Sequence, residues 1–119
     1  MKLSEAEWSV LNVLWEKEEV SLKELTDALL PSKGWNKKTV FTYLTRMENK
    51  GLVAIDRSKE KPYSAAISRE TCAKQEREEL CSKVYGGATG EMLAAFLKES
   101  SISMEEINHL KKLLDEMEV

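Results

Sequence analysis

Residues 35–67, "WNKKTVFTYLTRMENKGLVAIDRSKEKPYSAAI", change their periodicity once and abruptly. Up to Lys50 the apolar positions Val40, Leu44 and Met47 follow helical spacing. Asn36 suits the N-cap of that helix, and Gly51 suits the left-handed position just past its end. Beyond Gly51 the pattern becomes two short β runs, "LVAI" and "YSAAI", around the charged turn "DRSKEK". Pro62 opens the second run, a place that a short edge strand tolerates. A helix of about 36–49 that stops at one glycine and hands over to a hairpin admits few folds.

What precedes this segment narrows them further. Ser4 with Glu7, and Ser21 with Glu24, have the spacing of capping boxes, in which serine and glutamate satisfy each other's backbone amides. The first box opens an apolar stripe of Trp8, Leu11 and Trp15, predicting a helix over about 4–17. The second opens Leu22, Leu25, Ala28 and Leu29, predicting a helix over about 22–30 that ends at Pro31 and Gly34. Val20, between the two, is a candidate strand residue. Three helices followed by a hairpin is the order of a winged helix-turn-helix, in which the third helix enters the major groove and the hairpin lies along the backbone or minor groove.

The remaining sequence is helical and acidic. Ser68 opens a predicted helix over about 68–85, "GGATG" breaks it, and Thr89 or Gly90 starts "EMLAAFLKE". Ser103 and Glu106 have the spacing of a third capping box and precede Ile107, Leu110, Leu114 and Met117. The expected architecture is therefore mostly α with a small β-hairpin. A winged helix-turn-helix domain covers 1–67, and a three-helix dimerisation region covers 68–119. The C-terminal helices have too little partner surface of their own to bury their apolar stripes, which favours packing on a second copy.

Charge is distributed in blocks. The chain has a net charge of −3, yet residues 33–61 carry eight Lys/Arg against three Asp/Glu. Residues 1–32 carry three against seven, and residues 71–119 six against ten. The basic block coincides with the third helix and the hairpin, and local field at a docking face outweighs net charge. The outward face of the third helix holds Lys38, Thr42, Thr45, Arg46 and Asn49, flanked by Thr39 and Phe41, with no carboxylate. Lys37, Lys38, Lys50 and Arg46 suit phosphates, as do Arg57, Lys59 and Lys61 at the hairpin tip. Thr39 and Thr42 suit base edges, and Phe41 suits a thymine methyl.

Other functions find little support. No nucleophile–base pair, phosphate-cradling glycine loop or metal-ligand cluster is present, so neither catalysis nor a cofactor is expected. His109 is the single histidine. Cys72 and Cys81 are nine residues apart in a helical pattern, on opposite faces, and are expected to be reduced thiols. The chain has no apolar run of membrane-spanning length and no signal-like start, which points to a cytoplasmic protein without membrane insertion. The competing functional reading is a winged-helix module for protein–protein contact without sequence-specific DNA binding.

The segments "LSEAEWSVLNVLW", "WNKKTVFTYLTRMENKGLV", "YSAAISRE", "VYGGATGEMLAAFLKE" and "SMEEINHLKKLLDE" resemble the BlaI/MecI/CopY family of bacterial, penicillinase-repressor-like transcriptional regulators. The resemblance implies a homodimeric repressor on an inverted-repeat operator of the TACA/TGTA type. It implies base contacts from Lys38, Thr39 and Thr42 and backbone contacts from Arg46 and the wing cations. It also implies a dimer built by the last three helices, through Val84, Tyr85, Met92, Leu93, Phe96 and Leu97 together with Ile107, Leu110, Leu114 and Met117. An upstream sensor protein is a further implied partner. Two departures bear on the inducing signal. Ala95-Phe96 replaces the Asn-Phe pair cleaved in β-lactam-responsive members, and the Cys-X-Cys motifs of copper-responsive members are absent.

Overall fold

The computed structural model describes residues 2–117. In chain order these form α1 (Glu5–Lys17), α2 (Leu22–Lys33), α3 (Lys37–Asn49), β1 (Val53–Ile55), β2 (Tyr63–Ala65), α4 (Arg69–Tyr85), α5 (Thr89–Glu99) and α6 (Met104–Glu116). The chain divides into two compact units, the first ending at Glu76 and the second starting at Arg77.

The first unit is a winged helix. Both predicted capping boxes form. The Glu7 amide donates to Ser4 Oγ at 3.2 Å and the Ser4 amide to Glu7 Oε1 at 2.9 Å, and Ser21 and Glu24 repeat this at 3.1 and 3.2 Å. Asn36 Oδ1 caps α3 by accepting from the Thr39 amide at 2.9 Å. α2 runs three residues beyond the predicted end, through Pro31 to Lys33. Pro31 lies on the exposed side, so the hydrogen bond it cannot give is lost where water can replace it. The last turn still closes through the Gly34 amide to the Leu30 carbonyl at 2.9 Å, with Gly34 at φ +66°.

The core of this unit gathers Val10, Leu11 and Leu14 from α1, Leu25 and Leu29 from α2, and Val40, Leu44 and Met47 from α3. Leu52, Val53 and Tyr63 extend it under the hairpin. β1 and β2 pair antiparallel, Val53 with Ala65 and Ile55 with Tyr63. Val20 adds the third strand position suggested by the sequence, exchanging backbone hydrogen bonds with Tyr63 at 3.0 and 3.1 Å. The link that delivers Val20 is a γ-turn. Glu18 sits at φ 69°, ψ −61°, and the Glu19 amide donates to the Lys17 carbonyl at 2.9 Å.

The first unit reaches further along the chain than the predicted boundary at residue 67. Trp15 Nε1 donates to the Ile67 carbonyl at 2.9 Å, the Arg69 guanidinium lies 5.5 Å from the Trp15 ring centre, and Cys72 is buried in the core. The early turns of α4 thus complete the winged-helix core.

The second unit contains the end of α4 with α5 and α6, and its interior is sparse. Cys81 and Met92 are buried, and no described residue of α6 is. Ser103 caps α6 through the Glu106 amide at 3.1 Å. The third capping box is only half formed, because Glu106 Oε1 meets the Ser103 hydroxyl at 3.2 Å rather than its amide.

A positive φ is strained for a residue with a side chain, and glycine relieves that strain. Glu18→Gly is expected to raise stability by up to about 1 kcal/mol, read as a higher urea midpoint at unchanged m-value.

Candidate nucleic-acid interface

α3 presents its polar face because Val40, Leu44 and Met47 are buried on the opposite side. Lys37, Lys38, Phe41, Thr42, Thr45 and Arg46 are exposed, and Thr39 is half-buried beside them. Phe41 is 50% exposed, a large apolar side chain offered to solvent at the flank of the polar face. Lys37, Lys38 and Arg46 have no ion-pair partner among the described residues. The Thr42 hydroxyl donates to the Lys38 carbonyl at 2.9 Å and that of Thr45 to the Phe41 carbonyl at 3.0 Å. Their protons are thereby occupied and their lone pairs left free, so in these rotamers each hydroxyl acts as an acceptor toward a base or sugar donor.

One cation beside α3 had no role assigned from the sequence. Lys33 Nζ lies 5.9 Å from the ring centre of Trp35, which stacks on Tyr43 at 4.6 Å. Together these side chains form an aromatic and basic shoulder beside the start of α3. Membership of the basic block was the available signal for Lys33; its proximity to Trp35 depends on the α2–α3 turn.

The hairpin cations differ from those of α3, because each faces a carboxylate. Arg57 Nη2 is 3.9 Å from Glu48 Oε1, Lys59 Nζ is 3.4 Å from Glu19 Oε1, and Lys61 Nζ is 3.3 Å from Glu24 Oε2. The wing tip is shaped by Asp56, which accepts from the Ser58 hydroxyl and, at 3.1 Å, from its amide. Those two bonds hold the Asp56 carboxyl below its usual range.

Lys50 is also engaged. Its Nζ lies 2.8 Å from Glu7 Oε2, whose side chain is only 7% exposed. Burial opposes the charge on Glu7, but the Lys50 ammonium and the Ser4 amide and hydroxyl outweigh it and draw its pKa down. One carboxylate thus closes the α1 capping box and holds the residue at the end of α3. Lys50, a phosphate-contact candidate from the sequence, has this structural partner.

In the second unit, the residues expected at a dimer interface separate into two groups. Val84, Leu93, Phe96, Leu97, Leu114 and Met117 are exposed. Tyr85, Ile107 and Leu110 are half-buried, and Met92 is buried within its own unit. Leu97, Ile102, Ile107, Leu110 and Leu114 line an apolar groove between α5 and α6.

The sequence matches the family described as penicillinase repressor over residues 3–116. The chain belongs to this family. Its curated relatives include the methicillin resistance regulatory protein MecI of Staphylococcus aureus strain N315, 28% identical over 96% of this chain and 94% of that protein. The penicillinase repressor of Bacillus licheniformis is 29% identical over 97% of this chain and 91% of its own length. The Staphylococcus aureus penicillinase repressor is 27% identical over 98% and 94%. The family is one of transcriptional repressors, not enzymes.

In this penicillinase repressor family member, burial pushes the Cys72 thiol up and away from the reactive thiolate form. Cys81 Sγ rests 3.7 Å from Thr89 Oγ1. Among the described residues no helix is long and apolar enough to cross a membrane, and no group of His, Cys, Asp and Glu is arranged to hold a metal ion.

The Glu7–Lys50 pair makes a signed prediction. The folded-state pKa of Glu7 is depressed, so its contribution to stability is fully present above the ordinary glutamate value and lost as pH falls through the folded value. Lys50→Met leaves a buried carboxylate without its cation. It is expected to cost about 1–3 kcal/mol in urea unfolding at pH 7. The variant is also expected to lose less stability than the parent on acidification.

Proposed function

We propose that this repressor acts as a homodimer that binds an inverted-repeat operator, with α3 in the major groove and the hairpin against the backbone. The carrying observation is the outer face of α3, which combines three cations without an ion-pair partner among the described residues, two threonine acceptors and an exposed phenylalanine, without a carboxylate. Lys38, Thr39, Phe41 and Thr42 approach base edges in this reading. Lys37, Thr45 and Arg46, with the wing cations, meet phosphate and sugar, and Lys33 is well placed to join them. Winged-helix docking supports the geometry, since an α-helix fits the width of the major groove.

The dimer reading rests on α6. An amphipathic helix with no described residue buried, facing an α5 that exposes Leu93, Phe96 and Leu97, has the composition of half an interface. A two-fold axis there supplies two α3 helices to one duplex and matches an inverted repeat. We further propose the cytoplasm as the site of action, with the signal arriving from an upstream sensor partner. Ala95-Phe96 lies inside α5, in hydrogen-bonded helix, and lacks the asparagine of the family's cleavage pair.

A duplex carrying a TACA/TGTA inverted repeat, compared with a scrambled duplex across a salt series, tests the DNA reading. Binding is expected to be tighter on the repeat, with log K falling by about 0.9 per neutralised phosphate for each unit of log salt. Thr42→Ala is expected to lose about 1–3 kcal/mol on the repeat and much less on the scrambled duplex. Equal weak binding of the parent protein to both duplexes defeats the operator assignment. No binding even at low salt favours a protein–protein module instead.

Leu114 is 62% exposed, so a charge at this position leaves the described packing intact. Leu114→Asp is expected to shift sedimentation from dimer to monomer. A persisting dimer would place the interface elsewhere.

A further inference from the structure

The three wing cations and the three α3 cations stand in opposite electrostatic states. Arg57, Lys59 and Lys61 each face a carboxylate of the helical body at 3.9, 3.4 and 3.3 Å. The carboxylates come from three separate places: Glu48 near the end of α3, Glu19 in the γ-turn link and Glu24 in the α2 capping box. Lys37, Lys38 and Arg46 have no ion-pair partner among the described residues.

We propose that Glu19, Glu24 and Glu48 set DNA affinity by occupying the wing cations in the free protein, so that phosphate must displace them. The inference rests on the DNA-binding reading above and adds to it a group of affinity-setting carboxylates that do not themselves touch DNA. The pairs are built for exchange. Both partners are well exposed in each, with side-chain exposures of 74% and 35%, 52% and 47%, and 55% and 39%. Exposed pairs of this kind are weak and screened. A duplex phosphate can take the cation, but the cation's gain is reduced by the carboxylate it leaves. The arrangement also holds the wing close to the helices before DNA arrives.

A double-mutant cycle on Glu19 and Lys59, measured on the TACA/TGTA duplex, decides the matter. Glu19→Gln is expected to tighten binding by about 1.5- to 5-fold, the range of an exposed pair. In a Lys59→Met background the same change is expected to do almost nothing, because the freed cation is gone. Equal tightening in both backgrounds overturns the proposal, since it shows only the removal of a distant negative charge. No tightening in either overturns it as well. Glu24→Gln gives a second, independent reading with Lys61, and glutamine can keep the capping box with Ser21. Lys38→Ala separates the two levels of inference. If it weakens binding while Glu19→Gln is silent, the α3 reading stands and the wing proposal falls. If the parent protein binds neither duplex, both fall.

Discussion

Burial of three side chains on one face of α3 determines what the rest of the first unit can do. Val40, Leu44 and Met47 are essentially inaccessible to solvent, and α1 and α2 supply the surface that buries them. A helix turned by one residue about its axis would hide Thr42 or Arg46 and expose Leu44, at a cost of about 1.5–3 kcal/mol for each large apolar side chain returned to water. The polar face is therefore held outward by the core behind it. Glu7 adds a second restraint at the far end, through Lys50. The helix proposed to read DNA is fixed in rotation by packing and at its C-terminal end by a charge-assisted hydrogen bond.

Electrostatics then divides the basic block into two populations. Among the described residues the cations of α3 face no carboxylate, whereas those of the wing each face one. A chain with net charge −3 can present a local positive face because its carboxylates are kept off the outer side of α3. They are not kept away from the wing. Glu48 lies on the same helix as Arg46 but toward the hairpin, where it meets Arg57. In the proposed reading, the same basic block contains groups ready for phosphate and groups that must exchange partners first.

The two units also differ in how complete they are. The first contains a continuous core from Leu3 to Cys72, with Trp15 tied to Ile67 just before α4. Among its described residues the second has two buried apolar side chains, Cys81 and Met92, and a final helix with none. Such a unit gains little from folding by itself, because burial of apolar surface is what offsets the entropy of ordering the chain. This imbalance is the physical basis for proposing that a second copy covers α5 and α6.

Local rules made much of this legible from residue order alone. Serine–glutamate pairs marked helix starts, helical spacing marked the buried stripe of α3, and Gly51 marked the switch from helix to hairpin. These signals act within a few residues, so they survive without knowledge of the fold. Three features did not. α2 passed through Pro31 because its missing hydrogen bond fell on the wet side, which depends on the packing of α2. The first unit extended past residue 67 because Cys72 met a core assembled from distant segments. The partners of Lys50, Arg57, Lys59 and Lys61 depended on which carboxylates the tertiary fold brought within reach. The sequence by itself determined the order of elements, the apolar face of each helix and the location of the basic block. Tertiary structure alone decided which cations are spent within the protein and which remain for a ligand, because pairing across 9 to 43 residues of sequence depends on distances that no local pattern records.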